Sequence, residues 1–438
     1  MSGLFSGRMT VPVGGWVSIS KFLADLKTLK SGGVVIRMVQ DLSEVEYCVP
    51  DNPDFQSIFG AKGYTPFCDE VTAFLDALSA CLMRDEQARN FPDVVSFAFW
   101  CRAGALRAMK ASYSDHELRL GRGIVFHVAP SNVPMNFAYS LVVGLLAGNV
   151  NIVRVPSRDF PQIQIICSTI RALLGQEKFR QLLNHIVLVR YEKNDAITDF
   201  FSEHCDVRVI WGGDQTINNI RRSPLPPRSF DLTFADRYSL CVINADVYPG
   251  KDDPAQIARD FYNDTYLFDQ NACTSPHMVV WVGSARNVEK AKKLFWHNLH
   301  LIVAEKYKLQ PVSSVNKLVD AYRFAANSSA CHVQKMEDNL IVRVQLEHLI
   351  DGLEDARSMC GYFYEYTADT LNEIAVLINR KFQTLVYYGM DLDVMRQFIE
   401  QCRPTGIDRI VPIGRTLEFS LVWDGYDLIY QLSRKVSL

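Results

Sequence analysis

Ile124-Val125-Phe126-His127-Val128-Ala129-Pro130-Ser131-Asn132-Val133-Pro134 decides the fold. Its first six residues form an apolar run, the mark of a parallel strand covered on both faces. The run stops at a proline-flanked loop. A helix follows over 136–147 and closes at Gly148-Asn149, a good C-terminal stop. The same alternation then repeats: a strand at 151–155, a helix over 161–174, a strand at 185–190, a helix over 196–203 and a strand at 206–211. Gly212-Gly213-Asp214-Gln215-Thr216 opens a further helix. Repeated βα units predict a doubly wound parallel sheet. Such sheets bind ligands beyond the carboxyl ends of their strands, where strand order reverses. The loops at Pro130, Pro156 and Gly212 all leave strand ends of that kind, so they are expected to line one crevice.

Outward from this core the signals are plainer. Upstream, Val71, Phe74, Leu75, Leu78 and Leu82 make a one-sided stripe within a helical region over 64–112. Residues 11–60 read as an accessory start, with a strand at 33–39. Downstream, Ser223-Pro224-Leu225-Pro226-Pro227-Arg228 reads as a linker by composition. A second α/β alternation runs from the strand at 238–243 to about 413. It has helices over 255–267, 288–308 and 370–380, strands at 278–282 and 384–388, and a mostly polar stretch at 315–345. Residues 417–427 are β-prone and aromatic.

Composition excludes several classes. The 438 residues are 48% apolar with a net charge of −3, which gives no sign of binding nucleic acid or a membrane surface. The apolar stretch 137–150 is too short for a membrane span. Eleven cysteines show no CxxC pair and no zinc-type spacing, so no metal site is expected. They read as reduced thiols of a cytoplasmic protein.

Four features carry candidate chemistry. Gly212-Gly213 suits close backbone approach to a phosphate. Arg154, at a strand end in the same sheet, can bind a 2′-phosphate and select NADPH over NADH. Asn132 can donate its side-chain amide to a developing oxyanion. Cys273 lies in Phe268-Asp269-Gln270-Asn271-Ala272-Cys273-Thr274-Ser275-Pro276-His277, a turn between a helix and a buried strand. Taken singly, each has a plain structural reading: glycines in a βα turn, a solvated strand-end charge, a turn asparagine, a semi-buried thiol.

Taken together and in order, they resemble the aldehyde dehydrogenase superfamily. The matching pieces are the Pro-x-Asn-x-Pro loop at 130–134, Ala147-Gly148-Asn149, Arg154-Val155-Pro156-Ser157, Trp211-Gly212-Gly213-Asp214 and Gln270-Asn271-Ala272-Cys273. Within it the chain is most similar to acyl-CoA reductases of the bacterial bioluminescence fatty acid reductase type. Lys381-Phe382-Gln383-Thr384-Leu385 and Trp423-Asp424-Gly425-Tyr426-Asp427-Leu428 carry that similarity towards the C-terminus.

The resemblance implies an aldehyde dehydrogenase-like α/β fold: two doubly wound parallel-sheet domains plus a small oligomerisation element. Residues 1–232 are then the N-terminal region and NADP-binding domain, with an oligomerisation hairpin near 113–122. Residues 233–413 are the catalytic domain, and 414–438 a C-terminal oligomerisation segment. Cys273 is implied as nucleophile, with Asn132 and its own backbone N–H holding the oxyanion. Arg154, Ser157, Trp211, Gly212, Gly213 and Asp214 are implied to bind NADPH. A homo-oligomer is implied, as is an acyl-protein synthetase or acyltransferase partner that supplies the acyl group.

There is one departure. Where aldehyde dehydrogenases carry a water-activating Glu, this chain aligns Thr233, which cannot act as that base; Asp236 and Asp269 are nearby contenders. The implied reaction is reduction of a fatty acyl thioester to the aldehyde. An acyl-phosphate reductase of the glutamyl phosphate type, a CoA-acylating aldehyde dehydrogenase and a non-catalytic scaffold are the alternatives.

Overall fold

The apolar runs become the strands of two sheets. The computed structural model describes residues 42–113, 117–250, 253–335 and 338–438; residues 11–41 of the accessory start, with the expected strand at 33–39, lie outside them, while its remainder supplies the edge strand of the first sheet. The first sheet contains β1 (Glu46–Val49), β3 (Ile124–Val128), β4 (Val150–Arg154), β5 (Ile186–Arg190), β6 (Val207–Trp211) and β7 (Phe230–Phe234); β2 (Arg119–Gly121) stands apart. Its strand order is β1-β5-β4-β3-β6-β7, parallel except for β1 at the edge. From β3 the chain steps outward to β4 and β5 on one side, then to β6 and β7 on the other. Order therefore reverses between β3 and β6, and the crevice of a doubly wound sheet lies at their carboxyl ends. β3 and β6 are buried along their whole length, as continuous apolar runs require.

Helices cover both faces. Helix Pro161–Leu174 starts with proline at its first position and buries Ile163, Ile166, Ile170 and Leu173 along one stripe. Helix Asn136–Leu146 is buried on nearly every side, which explains its all-round apolar sequence without a membrane. Among the described residues no helix is long and apolar enough to cross one. His127 is part of this core. Its ring lies between Ser140 Oγ at 2.7 Å and Asn151 Oδ1 at 3.0 Å, and burial pushes its titration down to about 4, so it is neutral.

Gly148 ends helix Asn136–Leu146 at φ +88°, and its carbonyl accepts from Tyr64 N–H at 2.8 Å. A Cβ there would sit 2.2 Å from the Tyr64 carbonyl oxygen. Gly148→Ala is therefore expected to cost roughly 2–4 kcal/mol, read as a lower urea midpoint with an unchanged slope.

The second sheet holds β8 (Tyr238–Asn244), β9 (Pro276–Val282), β10 (Cys331–Val333), β11 (Val342–Leu346), β12 (Tyr362–Ala368), β13 (Phe382–Tyr388) and β14 (Arg409–Pro412). Its order is β10-β11-β12-β9-β8-β13-β14, with only β10 antiparallel. Three expectations change here. The Pro-rich segment 223–228 is a loop inside the first sheet's territory; the crossing between sheets is 235–237. The polar stretch 315–345 holds most of helix Pro311–Asn327, then β10 and the start of β11. The helix expected over 370–380 is a 3-10 turn, Leu371–Val376, closed by a Thr370/Glu373 capping box. Phe382 already opens β13 and is fully buried, so a regular helix to 380 would leave only Lys381 for the turn into it.

The C-terminal tail returns to the first sheet. β15 (Val422–Trp423) and β16 (Tyr426–Asp427) form a hairpin, and Leu428, Ile429 and Leu432 of helix Leu428–Leu432 join the first core. β17 (Ser433–Lys435) pairs antiparallel with β2. Of the hairpin expected near 113–122, residues 114–116 lie outside the described residues.

Candidate active site

Geometry follows from how the two sheets meet. β7 ends at Phe234 beside Trp211, the last residue of β6. Only 235–237 separate it from β8, so Tyr238 lies at most about 14 Å from Phe234. The carboxyl end of the first sheet thus faces the amino end of the second. Asp214, just past the first sheet, acts electrostatically on Lys381, just before β13.

The nucleophile loop is built at that junction. Helix Pro254–Thr265 passes into the 3-10 turn Tyr266–Phe268. Asp269 (φ +51°) and Gln270 (φ +62°) then adopt left-handed backbone, which reverses the chain. That conformation costs a long side chain of order 1 kcal/mol or more. Gln270 offsets it with four hydrogen bonds from a buried amide. Its Nε2 donates to Pro276 O at 2.9 Å and Tyr362 O at 3.0 Å; its Oε1 accepts from the N–H groups of Gly361 at 2.9 Å and Tyr362 at 3.0 Å. The Gln of the Gln-x-x-Cys pattern is thus the staple that holds the loop on β9 and β12. Ser275 Oγ adds a bond to Asp264 O at 2.7 Å, and Ser239 Oγ donates to Cys273 O at 2.7 Å.

Cys273 is half-buried, and the groups packed around its sulfur desolvate a thiolate. Burial, and after it the Asp424 carboxylate, push the thiol up to about 12; the Gln383 amide, hydrogen-bonded to it, and Arg237 pull the other way, and Asp236 adds to the rise. At neutral pH the resting sulfur is therefore held as the thiol. The Cys273 backbone N–H finds no acceptor among the described residues, so it is free to receive an oxyanion.

Asp424, Gln383 and Arg237 were not singled out from sequence. Gln383 is on β13, Arg237 precedes β8, and Asp424 is the tip of the C-terminal hairpin; the sheet order and the returning tail bring them together.

The expected cofactor residues share the carboxyl edge of the first sheet. Val128 pairs in register with both Arg154 and Ile210, so the loops after β3, β4 and β6 emerge side by side. Asn132 is exposed on the first of these loops. Arg154 donates to Tyr191 O at 3.1 and 3.3 Å and lies over the Tyr191 ring, 4.4 Å from its centroid; it makes no ion pair within 4.0 Å among the described residues. Ser157 lies three residues beyond it. Gly212 N–H donates to Phe234 O at 3.1 Å, and a Cβ on Gly213 would meet open space. Asp214 is exposed in the first turn of helix Asp214–Ile220. Trp211 differs from the rest: its indole stacks on Phe234 at 3.8 Å and donates to Ser140 Oγ at 3.0 Å, so its side chain belongs to the core. Asn132 and the cofactor residues come from the first sheet's carboxyl edge and Cys273 from the amino edge of the second, and the short 235–237 crossing joins those two edges. No group of three or more His, Cys, Asp or Glu side chains among the described residues is placed to hold a metal ion.

The carboxylates near the expected hydrolytic-base position are engaged. Asp236 is paired with Arg357, and Asp269 accepts from Tyr307 OH.

Comparison with known proteins agrees with this construction. The sequence profile described as acyl-CoA reductase (LuxC) matches residues 34–341. The long-chain acyl-protein thioester reductase of Photorhabdus laumondii subsp. laumondii is 22% identical over 323 residues, 72% of this chain and 63% of that protein. The Vibrio harveyi protein of the same name is 23% identical over 297 residues, 67% of this chain and 59% of its own. The chain thus spans less than two thirds of the length of these relatives. Among solved structures, a NAD-dependent benzaldehyde dehydrogenase from Corynebacterium glutamicum superposes with TM-score 0.60 at 15% identity, covering 89% of this chain and 92% of that one. Lactaldehyde dehydrogenase from Escherichia coli gives TM-score 0.60 at 12% identity, covering 87% of each chain. The chain belongs to the acyl-CoA reductase (LuxC) family and has an aldehyde dehydrogenase-like fold.

Proposed function

We propose that this protein reduces a fatty acyl thioester, acyl-CoA or acyl-protein, to the aldehyde through a thioacyl intermediate on Cys273, with NADPH as the reductant. The observation that carries this reading is the setting of Cys273. Its residue is half-buried, its backbone N–H has no acceptor among the described residues, and Thr233 aligns where aldehyde dehydrogenases carry the water-activating Glu. Cys273 Sγ attacks the thioester carbonyl. The oxyanion is held by the Cys273 N–H and the Asn132 amide, and the carrier thiol departs. With Asp236 and Asp269 already paired, no carboxylate of that stretch activates water, so the thioacyl group persists. The bound nicotinamide supplies the hydride that carries the acyl group to the aldehyde level.

The cofactor residues fit such a group. Open space over Gly213 admits a diphosphate close to the backbone, and Arg154 has no acidic partner to displace before binding a 2′-phosphate. Arg154→Ala is expected to raise the Michaelis constant for NADPH by about tenfold or more and that for NADH little; equal effects contradict the 2′-phosphate role. The function is tested by NADPH oxidation across acyl-CoA chain lengths and an acyl phosphate, with aldehyde detected directly. Aldehyde from acyl-CoA supports the reading; aldehyde from acyl phosphate alone overturns it.

An acyl-protein synthetase or acyltransferase as acyl donor belongs to the same proposal. So does a homo-oligomer joined through 113–122 and 414–438. The two-stranded β2–β17 ribbon leaves strand edges for a second copy.

A further inference from the structure

We propose that Asp424 is the proton acceptor that activates Cys273. The inference rests on Cys273 being the nucleophile. Its evidence is the geometry of the C-terminal hairpin. β15 and β16 are joined by the two-residue turn Asp424-Gly425, with φ +49° and +75°. Asp-Gly is the favoured pair for such a type I′ turn, which accounts for the backbone. It does not account for the side chain. A turn aspartate ordinarily points to water, whereas the Asp424 side chain is only 3% exposed.

Its carboxylate is held by Gln383. That buried side chain takes a hydrogen bond from Thr384 Oγ1 at 3.3 Å on its oxygen, which turns its NH₂ group the other way. Its NH₂ group donates to Asp424 Oδ1, and the N–H of the next residue, Thr384, donates at 3.2 Å to the same Ser239 hydroxyl that holds the Cys273 carbonyl at 2.7 Å. Gln383 and Asp424 therefore stand beside the nucleophile loop, where the Asp424 charge acts on the Cys273 thiol and one water or a small rotation carries a proton between them. Arg237 lies 3.8 Å from Asp424 Oδ2 but spends its closer contact on Asp408. Asp424 is thus left with a neutral amide as its close partner and a long ion pair to an arginine it shares with Asp408.

The charges around the pair fix where the proton rests. Asp236 lies near the sulfur, and Arg237 and Arg409 face it from the other strands; Asp408 faces Asp424. Two anions side by side in a desolvated site repel, so the pair holds one proton. Burial and the Asp424 charge keep it on sulfur at rest. During attack, the S–H proton moves to Asp424 as the S–C bond forms. When the tetrahedral adduct collapses, the carrier C–S bond breaks and its thiolate recovers that proton. The sum is Cys-SH plus acyl thioester giving S-acyl-Cys plus carrier thiol, with no redox change. Gln383 is the positioning residue.

Two readouts on the full chain test this. Single-turnover acylation by labelled acyl-CoA without cofactor is expected to fall about a hundredfold or more in Asp424→Asn. In the same variant, the pH midpoint for alkylation of Cys273 by iodoacetamide is expected to move down, because a neighbouring negative charge has gone. A merely structural role would not split the two readouts this way. Asp424→Glu keeps a carboxylate and is expected to retain acylation within about tenfold. In the wild type, acylation is expected to decline on acidification through a midpoint above the ordinary carboxylate range, since burial raises Asp424. Asn-variant acylation within threefold of wild type overturns the proposal, as does an alkylation midpoint that stays or rises. If the Asn variant does not fold, a Glu variant that is folded but inert, or a wild-type rate flat down to about pH 4, overturns it instead. Wild type that takes no acyl label while the alkylation midpoint still moves down in Asp424→Asn sinks the thioester reading and leaves the Asp424–Cys273 pairing standing.

Discussion

Cys273→Ala is expected to abolish aldehyde formation, by roughly 10⁴-fold or more, while leaving the fold intact. The substitution removes the reacting sulfur and little else. The loop is held by the Gln270 amide and by Ser239 bonding the Cys273 carbonyl, and alanine keeps that carbonyl. Cys273→Ala removes one sulfur from a half-buried residue, so the unfolding free energy should change by about 1 kcal/mol. Stopped-flow NADPH consumption with a parallel thermal melt separates the two effects. Residual turnover within tenfold of wild type would mean that another group carries the acyl chain.

Gln270→Leu is expected to have the largest effect on stability. The leucine fills much of the same volume but orphans two carbonyls and two N–H groups on β9, β12 and the residue before β12. At about 1 kcal/mol for each lost bond, with buried partners left unpaired, the cost is about 3–5 kcal/mol. The left-handed turn at 269–270 then keeps only its backbone bonds to Thr265, Tyr266 and Cys360 and the Tyr307–Asp269 contact. Acyl transfer should fall with stability, because the loop that aims Cys273 opens first. Urea unfolding and hydrogen exchange at 269–275 measure both. A variant as stable as wild type would show that the staple is dispensable.

Much of this was legible in the chain. Apolar runs at 124–129, 206–211 and 278–282 became buried strands because a strand between two helical layers must be apolar on both faces. Helix Pro161–Leu174 was legible to the residue, from its proline start and its stripe. β11 was harder: Val342-Arg343-Val344-Gln345-Leu346 alternates buried and half-buried, but it lies in a polar setting. Helix Pro311–Asn327 buries only Lys317 and Ala321, and its apolar stripe of Val312, Val315, Val319 and Tyr322 stays exposed, set in a mostly polar stretch. Chemistry followed the same division. Cys273 and the strand-end loops sit on local patterns. Trp211 belongs to such a pattern, yet its neighbours put its indole into the core. Asp424, Gln383 and Arg237 meet Cys273 only because β8, β9 and β13 are adjacent and the tail folds back, which no local spacing records.

The central claim is that one thiol of eleven carries the acyl group. It is tested by incubating the protein with labelled acyl-CoA without cofactor, digesting it and mapping the label by mass. The expected result is a single adduct on the peptide containing Cys273, discharged to aldehyde when NADPH is added. Label on any other cysteine, or an adduct on Cys273 that NADPH does not discharge, would contradict it.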